Sequence, residues 1–151
     1  MSKQPAFWDA SALVPLCVHE SSSRQAHSQL RRFLPVVWWG SLVEVSSAIA
    51  RLHRQGDLRD RERQKALLQL EVLNRGWREI LPGDHVRELA VHLLDSHELR
   101  AADSFQLSAA LTWCQQRPAR RTFVCADQRL SKAAEAEGFT VFEFPRVGPQ
   151  R

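Results

Sequence analysis

The chain alternates between short apolar runs and longer stretches in which apolar residues recur with a helical period. Short apolar runs are typical of buried strands, and they lie at 6–8, 36–39, 77–81, 122–126 and 140–144. The helical stretches lie between and beside them, at 11–18, 21–34, 41–55, 58–75, 84–97, 101–117 and 127–137. This order predicts strands and helices that follow one another along the chain.

Three prolines mark helix boundaries in this pattern. Pro15 fits the first helix only if it lies in the first turn, where its missing N–H is not needed. Pro35 predicts that the second helix ends at residue 34, because proline cannot continue a helix and restricts the residue before it. Pro118 in the same way predicts the end of the helix at 101–117.

Strands that alternate with helices predict an α/β protein with a mostly parallel central sheet of four to five strands and helices on both faces. The length of 151 residues suits one domain. We expect its core at about 6–144 and a loose tail at 145–151. In such sheets ligands bind beyond the carboxyl ends of the strands, so polar residues there are candidates for function.

The composition, with 44% hydrophobic and 25% charged residues, excludes disordered and disulfide-scaffold proteins. The net charge of +4 permits a nucleic acid partner without requiring one. No stretch is apolar for the ~20 residues of a membrane helix, and the N-terminal residues lack the long apolar core that a signal peptide is expected to have. We therefore expect a cytoplasmic protein with no membrane partner. Cys17, Cys114 and Cys125 lack zinc-type spacing and are predicted to be reduced thiols.

Asp9 and Asp127 each follow a predicted strand directly. If those strands are parallel, both carboxylates lie at the same edge of the sheet. Either residue could instead cap the next helix by accepting hydrogen bonds from its free N–H groups. Capping and metal binding do not exclude each other.

Glu44 and Asp103 lie near the starts of two predicted helices. Glu44 shares a helix face with Ala48 and Leu52, and Asp103 shares one with Leu107. Burying a lone carboxylate is costly, which suggests that something pairs with each of them. The alternatives that assign no function are a half-exposed Glu44 that the helix dipole stabilises and an Asp103 that caps its helix.

These four acids can converge on one edge of the sheet. Four carboxylates a few ångström apart cannot all ionise cheaply without a cation. Hard oxygen ligands favour Mg²⁺ or Mn²⁺, and such ions activate water for phosphodiester cleavage. The residues therefore predict metal-dependent phosphoryl hydrolysis.

The segments that carry these acids resemble the PIN domain, and specifically the VapC type of toxin–antitoxin ribonuclease. The matching stretches are 8–14, 41–45 with Ala48 and Arg51, 99–107 with 109–111, and 123–130 with Ala133, Ala134 and Gly138. They follow the order and spacing of the family across about residues 6–144. This chain departs from the family pattern at Pro15, where many relatives have Lys, and at Gln106, where many have His.

The resemblance implies a PIN-like three-layer α/β/α sandwich that acts as an endoribonuclease on single-stranded RNA. It implies that Asp9, Glu44, Asp103 and Asp127 surround one or two Mg²⁺ or Mn²⁺ ions, and that Ser11 supports a ligand or a metal-bound water. It also implies a homodimer and a cognate VapB-like antitoxin whose C-terminal segment blocks the site.

Arg100 and Arg129 are candidates for phosphate contacts, because they lie close in sequence to Asp103 and Asp127 and a guanidinium can bind two phosphate oxygens. Most other surface arginines are expected only to solvate the protein. The tryptophans fall mainly in predicted strands or an apolar helix, which favours packing in the core over base stacking. They are Trp8, Trp38, Trp39, Trp77 and Trp113.

Two other functions stay open at this point. One is a catalytically idle PIN-like module that binds RNA or protein. The other is a phosphatase with an aspartyl nucleophile, in which Asp9-Ala10-Ser11 would be the opening motif. That chemistry normally needs a second Asp where Ser11 stands and a late Lys, for which only Lys132 is available.

Overall fold

The computed structural model describes residues 3–144. Its strands are β1 (Gln4–Trp8), β2 (Phe33–Trp38), β3 (Arg78–Ile80), β4 (Thr122–Cys125) and β5 (Thr140–Glu143). Its helices are α1 (Ala10–Cys17), α2 (Ser23–Arg32), α3 (Ser41–Arg54), α4 (Asp60–Gly76), α5 (Asp84–Ser96), α6 (Ala101–Trp113) and α7 (Gln128–Glu137). All the predicted strands and helices are therefore present, with shifts at several boundaries.

The strands form one sheet in the order β3-β2-β1-β4-β5. The first strand lies at its centre, where Phe7 pairs with Val36 on one side and Phe123 on the other. Every pair of neighbouring strands is parallel. The predicted α/β class is confirmed, and the carboxyl ends of all five strands meet at one edge.

Helices cover both faces of the sheet and enclose two apolar clusters. Trp8, Leu13 and Ile49 belong to the cluster beneath α1, α3 and α4. Phe7 and Leu107 belong to the opposite cluster, beneath α5, α6 and α7. Phe7 and Trp8 enter different clusters because successive side chains of a strand point to opposite faces. The result is the expected three-layer α/β/α sandwich.

The predicted end of the second helix is wrong. Helix α2 ends at Arg32, and Pro35 lies inside β2, opposite Ala6. Pro35 is tolerated because the pairing of β2 with β3 begins only at Val36, so β2 is still an edge strand at this point.

The placement of Pro15 in a first turn is also wrong. Helix α1 begins at Ala10, so Pro15 falls in its second turn. The N–H that proline lacks is the one that would reach the carbonyl of Ser11. Contacts of α1 with α2, α3 and α4 hold this short helix in place, since most helical stability comes from packing.

Helix α6 ends at Trp113 rather than at residue 117. Gln115 and Gln116 have φ angles of 54° and 58°, a left-handed conformation that turns the chain before Pro118 is reached. The left-handed turn, and not the proline, therefore ends the helix.

Trp8, Trp38 and Trp77 are buried as expected, but Trp39 is 52% exposed. The prediction for Trp39 fails because β2 ends one residue earlier, at Trp38. The three cysteines are free thiols in the described part of the chain, as expected. Burial raises the pKa of the Cys17 thiol to about 12, which makes it a poor nucleophile. Among residues 3–144, no helix is both long enough and apolar enough to cross a membrane.

Candidate active site at the carboxyl edge of the sheet

Asp9 and Asp127 lie where β1 and β4 end, and each caps the helix that follows. The Ser11 N–H donates to Asp9 Oδ2 at 3.1 Å, and the Ser11 hydroxyl donates to the same oxygen. The Leu130 N–H donates to Asp127 Oδ1 at 3.1 Å. The capping alternative is thus correct for both residues, and both carboxylates also lie at the carboxyl edge of the sheet.

Ser11 joins the two strand ends. Its Oγ accepts a hydrogen bond from the Ala126 N–H at 2.9 Å while its hydroxyl donates to Asp9. The backbone N–H of Asp9 also donates to the Val124 carbonyl at 3.0 Å. The turn after β1 is therefore tied to the turn after β4, which fixes the position of Asp9 relative to Asp127.

Glu44 lies in the first turn of α3 and is held from the side by Gln106 of α6. Gln106 Nε2 donates to Glu44 Oε2 at 2.5 Å and to Ser41 Oγ at 3.0 Å. The Gln106 side chain is completely buried, and its Oε1 has no hydrogen-bond partner in the described part of the chain. Sequence reasoning noted Gln106 only as a departure from the family. The signal in the sequence was that Gln106 is a lone amide on a strongly apolar helix.

Asp103 is half-buried in the first turn of α6, three residues after Arg100, which occupies the cap position. Burial and the charge of Asp127 raise its pKa, while the backbone N–H of Arg100 and the charges of Arg100 and Arg129 lower it in part. The net shift is upward. Asp103 is therefore a crowded carboxylate with two guanidinium groups nearby, and it is not the cap of its helix.

The electrostatics link all four acids. Burial raises the pKa of Asp9 to about 6, with smaller contributions from the charges of Asp103 and Asp127. Burial raises the pKa of Glu44 to about 7, opposed by the Gln106 hydrogen bond and reinforced by Asp9 and Asp103. Carboxylates that raise one another's pKa lie close enough to compete for protons. The structure thus brings the four predicted acids together at one edge.

The chemistry of this donor set fits a hard divalent cation. Buried carboxylate oxygens that repel each other are relieved by a positive ion, and Mg²⁺ and Mn²⁺ prefer oxygen ligands. As the side chains stand, no three of the Asp, Glu, His and Cys residues within 3–144 surround a common metal position. The case for a metal ion at this edge therefore depends on the carboxylate ligands present and on the repulsion between them.

Arg100 and Arg129 share a cleft with two of the acids. This cleft, of about 430 Å³, is lined by Arg100, Asp103, Asp127 and Arg129, with Ala102 and Gln128 completing the wall. Both arginines are exposed, so their guanidinium groups face an open space beside the carboxylates. A larger cleft of about 480 Å³, between the end of α1 and the α3–α4 turn, contains none of the four acids.

The Cys125 thiol is a further neighbour of Asp9 that the sequence did not single out. Its Sγ lies 3.8 Å from Asp9 Oδ2 and accepts from the Asp127 N–H at 3.3 Å. Burial and the charge of Asp9 raise the pKa of this thiol. Cys125 therefore stays protonated and packs beneath the strand ends.

No protein-family model matches this sequence, and no curated protein does. Solved structures match over most of the chain. VapBC2 from Rickettsia felis, bound to a DNA fragment from its promoter, has a TM-score of 0.64 and 11% identity; the match covers 94% of this chain and 100% of that one. The chain has a PIN-like fold.

Two further structures share the PIN-like fold. FitAcB from Neisseria gonorrhoeae has a TM-score of 0.62 and 15% identity, with 91% of this chain and 96% of that chain covered. A toxin–antitoxin complex from Klebsiella pneumoniae has a TM-score of 0.56 and 17% identity, with 82% and 88% covered. At these identities the likeness establishes the architecture alone, and function depends on the site.

Proposed function

We propose that this protein is a VapC-type toxin that cleaves single-stranded RNA internally with the help of Mg²⁺ or Mn²⁺. One observation supports this above all: at the carboxyl edge of the sheet, burial and the charges of neighbouring acids, Asp127 among them, raise the pKa of Asp9, Glu44 and Asp103. Crowded, buried carboxylates destabilise a fold, and such clusters of shifted pKa values are often found at functional sites.

Each residue has a distinct part in the proposed reaction. A bound divalent ion would supply an activated water and neutralise charge that builds up on the phosphate. Asp9, Glu44, Asp103 and Asp127 would hold that ion. Arg100 and Arg129 would bind the phosphodiester through charge-assisted hydrogen bonds.

Two further side chains would orient these groups. Ser11 fixes the Asp9 carboxylate by donating to Oδ2. Gln106 fixes Glu44 by donating to Oε2, and only one orientation of the amide places its N–H toward the carboxylate. Such second contacts keep charged side chains in a working geometry without touching the substrate.

The proposal includes a cognate antitoxin and a homodimer. The PIN-like fold is shared with proteins solved as toxin–antitoxin complexes, which supports a partner of that kind. Co-expression with the product of a small neighbouring reading frame should give a stable complex without nuclease activity. A neighbour that neither binds nor inhibits would favour a housekeeping nuclease.

The decisive test compares the purified full chain with Asp9→Asn and Asp103→Asn on a mixed panel of single-stranded RNAs. We expect internal cleavage with Mg²⁺ or Mn²⁺ that both substitutions and EDTA abolish. Equal cleavage by the wild type and both variants would contradict the assignment. Calorimetry with Mn²⁺ gives a second measurement, because Asp103→Asn should weaken metal binding even where the correct RNA has not been found.

The two alternatives make different predictions. An idle module would bind RNA or protein but show no heat of Mn²⁺ binding. The phosphatase alternative has lost support, because Lys132 lines a neighbouring cleft with His97 and Glu98 and not the cleft that holds Asp103 and Asp127. A phosphoaspartate trapped on Asp9 would restore it.

A further inference from the structure

A second cleft lies on the other side of the strand ends from the Arg100–Arg129 cleft. Its volume is about 340 Å³. Apolar side chains line part of it, namely Val14, Ala48 and Phe144, and polar groups stand at Ser11, Ser22 and Arg51. The cleft thus combines apolar side chains with polar groups and one cation.

The two clefts meet at the carboxylates. Ser11 and Ala126 line the second cleft, and the next residue after Ala126, Asp127, lines the first. Ser11 is also the residue that holds Asp9. A linear polymer that lies in both clefts therefore passes Ser11, Ala126 and Asp127, beside the buried Asp9.

Arg51 is the cation of the second cleft. It is exposed on α3, about two turns beyond Glu44. None of the ion pairs within residues 3–144 involves it. An arginine without a carboxylate partner is available for a phosphate, and its planar group can contact two oxygens at once.

Glu20 also lines this cleft and would oppose an anion there. It lines the larger cleft as well, so it lies at the boundary between the two cavities.

We propose that the second cleft binds the nucleotides on the far side of the scissile phosphate from Arg100 and Arg129, with Arg51 contacting a backbone phosphate. The inference rests on the proposed nuclease function and extends it. A substrate that fills both clefts continues beyond the cut in both directions, so the site selects internal bonds of a single strand over chain ends.

A binding experiment tests the second cleft without cleavage. Asp103→Asn protein in EDTA is titrated with a fluorescent 12-nucleotide single-stranded RNA, alone and combined with Arg51→Ala. Arg54→Ala is the matched control, because Arg54 is also exposed on α3 but does not line the cleft. We expect Arg51→Ala to weaken binding about tenfold at low salt. It should also lower the slope of log affinity against log salt by about 0.7, as loss of one phosphate contact does for single strands.

Equal affinity and equal salt slope for Arg51→Ala and Arg54→Ala would overturn the proposal. So would the absence of any RNA binding at low salt. A merely structural role for Arg51 would not change the salt slope, so that measurement separates a phosphate contact from a folding defect.

A cleavage experiment tests the two-sided arrangement. Once a cut is mapped, the RNA is shortened toward it from the 5′ end in one series and from the 3′ end in the other. The defect of Arg51→Ala should vanish in one series, and that of Arg129→Ala in the other. The arrangement would be refuted if the cleavage defects of both variants vanished in the same series, or if neither defect depended on the length of the RNA. If wild-type protein cuts no RNA at all, the proposed function fails, and the binding experiment still decides on Arg51.

Discussion

The two strand-end acids and the two helix acids differ in what else they do. Asp9 and Asp127 each accept a backbone N–H at the start of a helix, so the fold uses their oxygens. Glu44 and Asp103 lie in the first turns of α3 and α6, where neither is the cap. One pair stabilises local structure as well as forming the site, while the other pair mainly adds buried negative charge.

This contrast separates stability from chemistry. Replacing a helix acid with its neutral amide should relieve repulsion and cost the fold little. Replacing a strand-end acid with alanine should remove both a cap and a site carboxylate. The predictions that follow use this difference, in order of expected effect.

The largest effect is expected for the helix acids. Asp103→Asn and Glu44→Gln should each lower the RNA cleavage rate by roughly 100-fold or more, since they remove charge from the site. Their thermal midpoints should stay equal to the wild type or rise, because crowded carboxylates are neutralised. A variant that keeps its activity, or one that loses activity only by unfolding, would place that acid outside the site.

The strand-end acids should give a combined effect. Asp9→Ala should lower the cleavage rate by a similar factor and also lower the free energy of unfolding by about 1 kcal/mol, through loss of a helix cap. Asp9→Asn is the matched control, because asparagine caps helices as well as aspartate does. It should lose the activity and keep the stability, as urea unfolding would show. Equal stability of the two variants would mean that the cap contributes nothing.

Gln106 offers an intermediate effect. Gln106→Leu removes the donor to Glu44, which should raise the pKa of that carboxyl further and lower activity about tenfold at pH 7. Activity should partly recover at higher pH, where Glu44 ionises. Gln106→His restores a donor and serves as the conservative control. A loss that is the same at every pH would mean that Gln106 acts only through packing.

The metal-free protein should lose stability as the pH rises. The folded-state pKa values of Asp9, about 6, and Glu44, about 7, exceed their ordinary values of 3.8 and 4.5. The folded state therefore holds more protons than the unfolded chain between about pH 4 and pH 7, and the free energy of unfolding falls through that range. In EDTA we expect a difference of roughly 4 kcal/mol between about pH 5 and pH 8, at about 1.4 kcal/mol for each pKa unit.

The Asp9→Asn/Glu44→Gln double variant is the control for this titration. Its stability should depend less on pH, because two of the carboxyl groups that gain protons on folding are gone. The same slope in the double variant and the wild type, measured by chemical unfolding, would show that other groups cause the dependence.

The smallest effect is expected at the exposed arginines. Arg100→Ala and Arg129→Ala should raise the KM for RNA a fewfold and leave kcat nearly unchanged, because exposed charge contacts are weak. Arg117→Ala is the control, since Arg117 is exposed but lies outside the cleft. A change in kcat instead would mean that Arg100 or Arg129 acts on the transition state.

The order of elements could be predicted from the sequence because apolar periodicity determines it. Asp9 and Asp127 stood out because each directly follows a strand, and Glu44 and Asp103 because a charge on an apolar helix face needs a partner. The ends of helices and strands could not be predicted where contacts between distant segments determine them. Pro35 lies within a strand because β3 is short, and Trp39 is exposed because β2 ends before it. The partnership of Gln106 with Glu44 joins residues 62 positions apart, and no local pattern encodes such a contact.

The central position of β1 also has a consequence for synthesis of the chain. The first strand pairs with β4, which ends at Cys125. A ribosome makes the chain from the N-terminus at about 5–20 residues per second, so β1 is synthesised before this neighbour exists. Asp9 emerges early, but its partner Asp127 is made 118 residues later. A nascent chain thus lacks the complete cluster of acids until the segment that follows β4 has been synthesised.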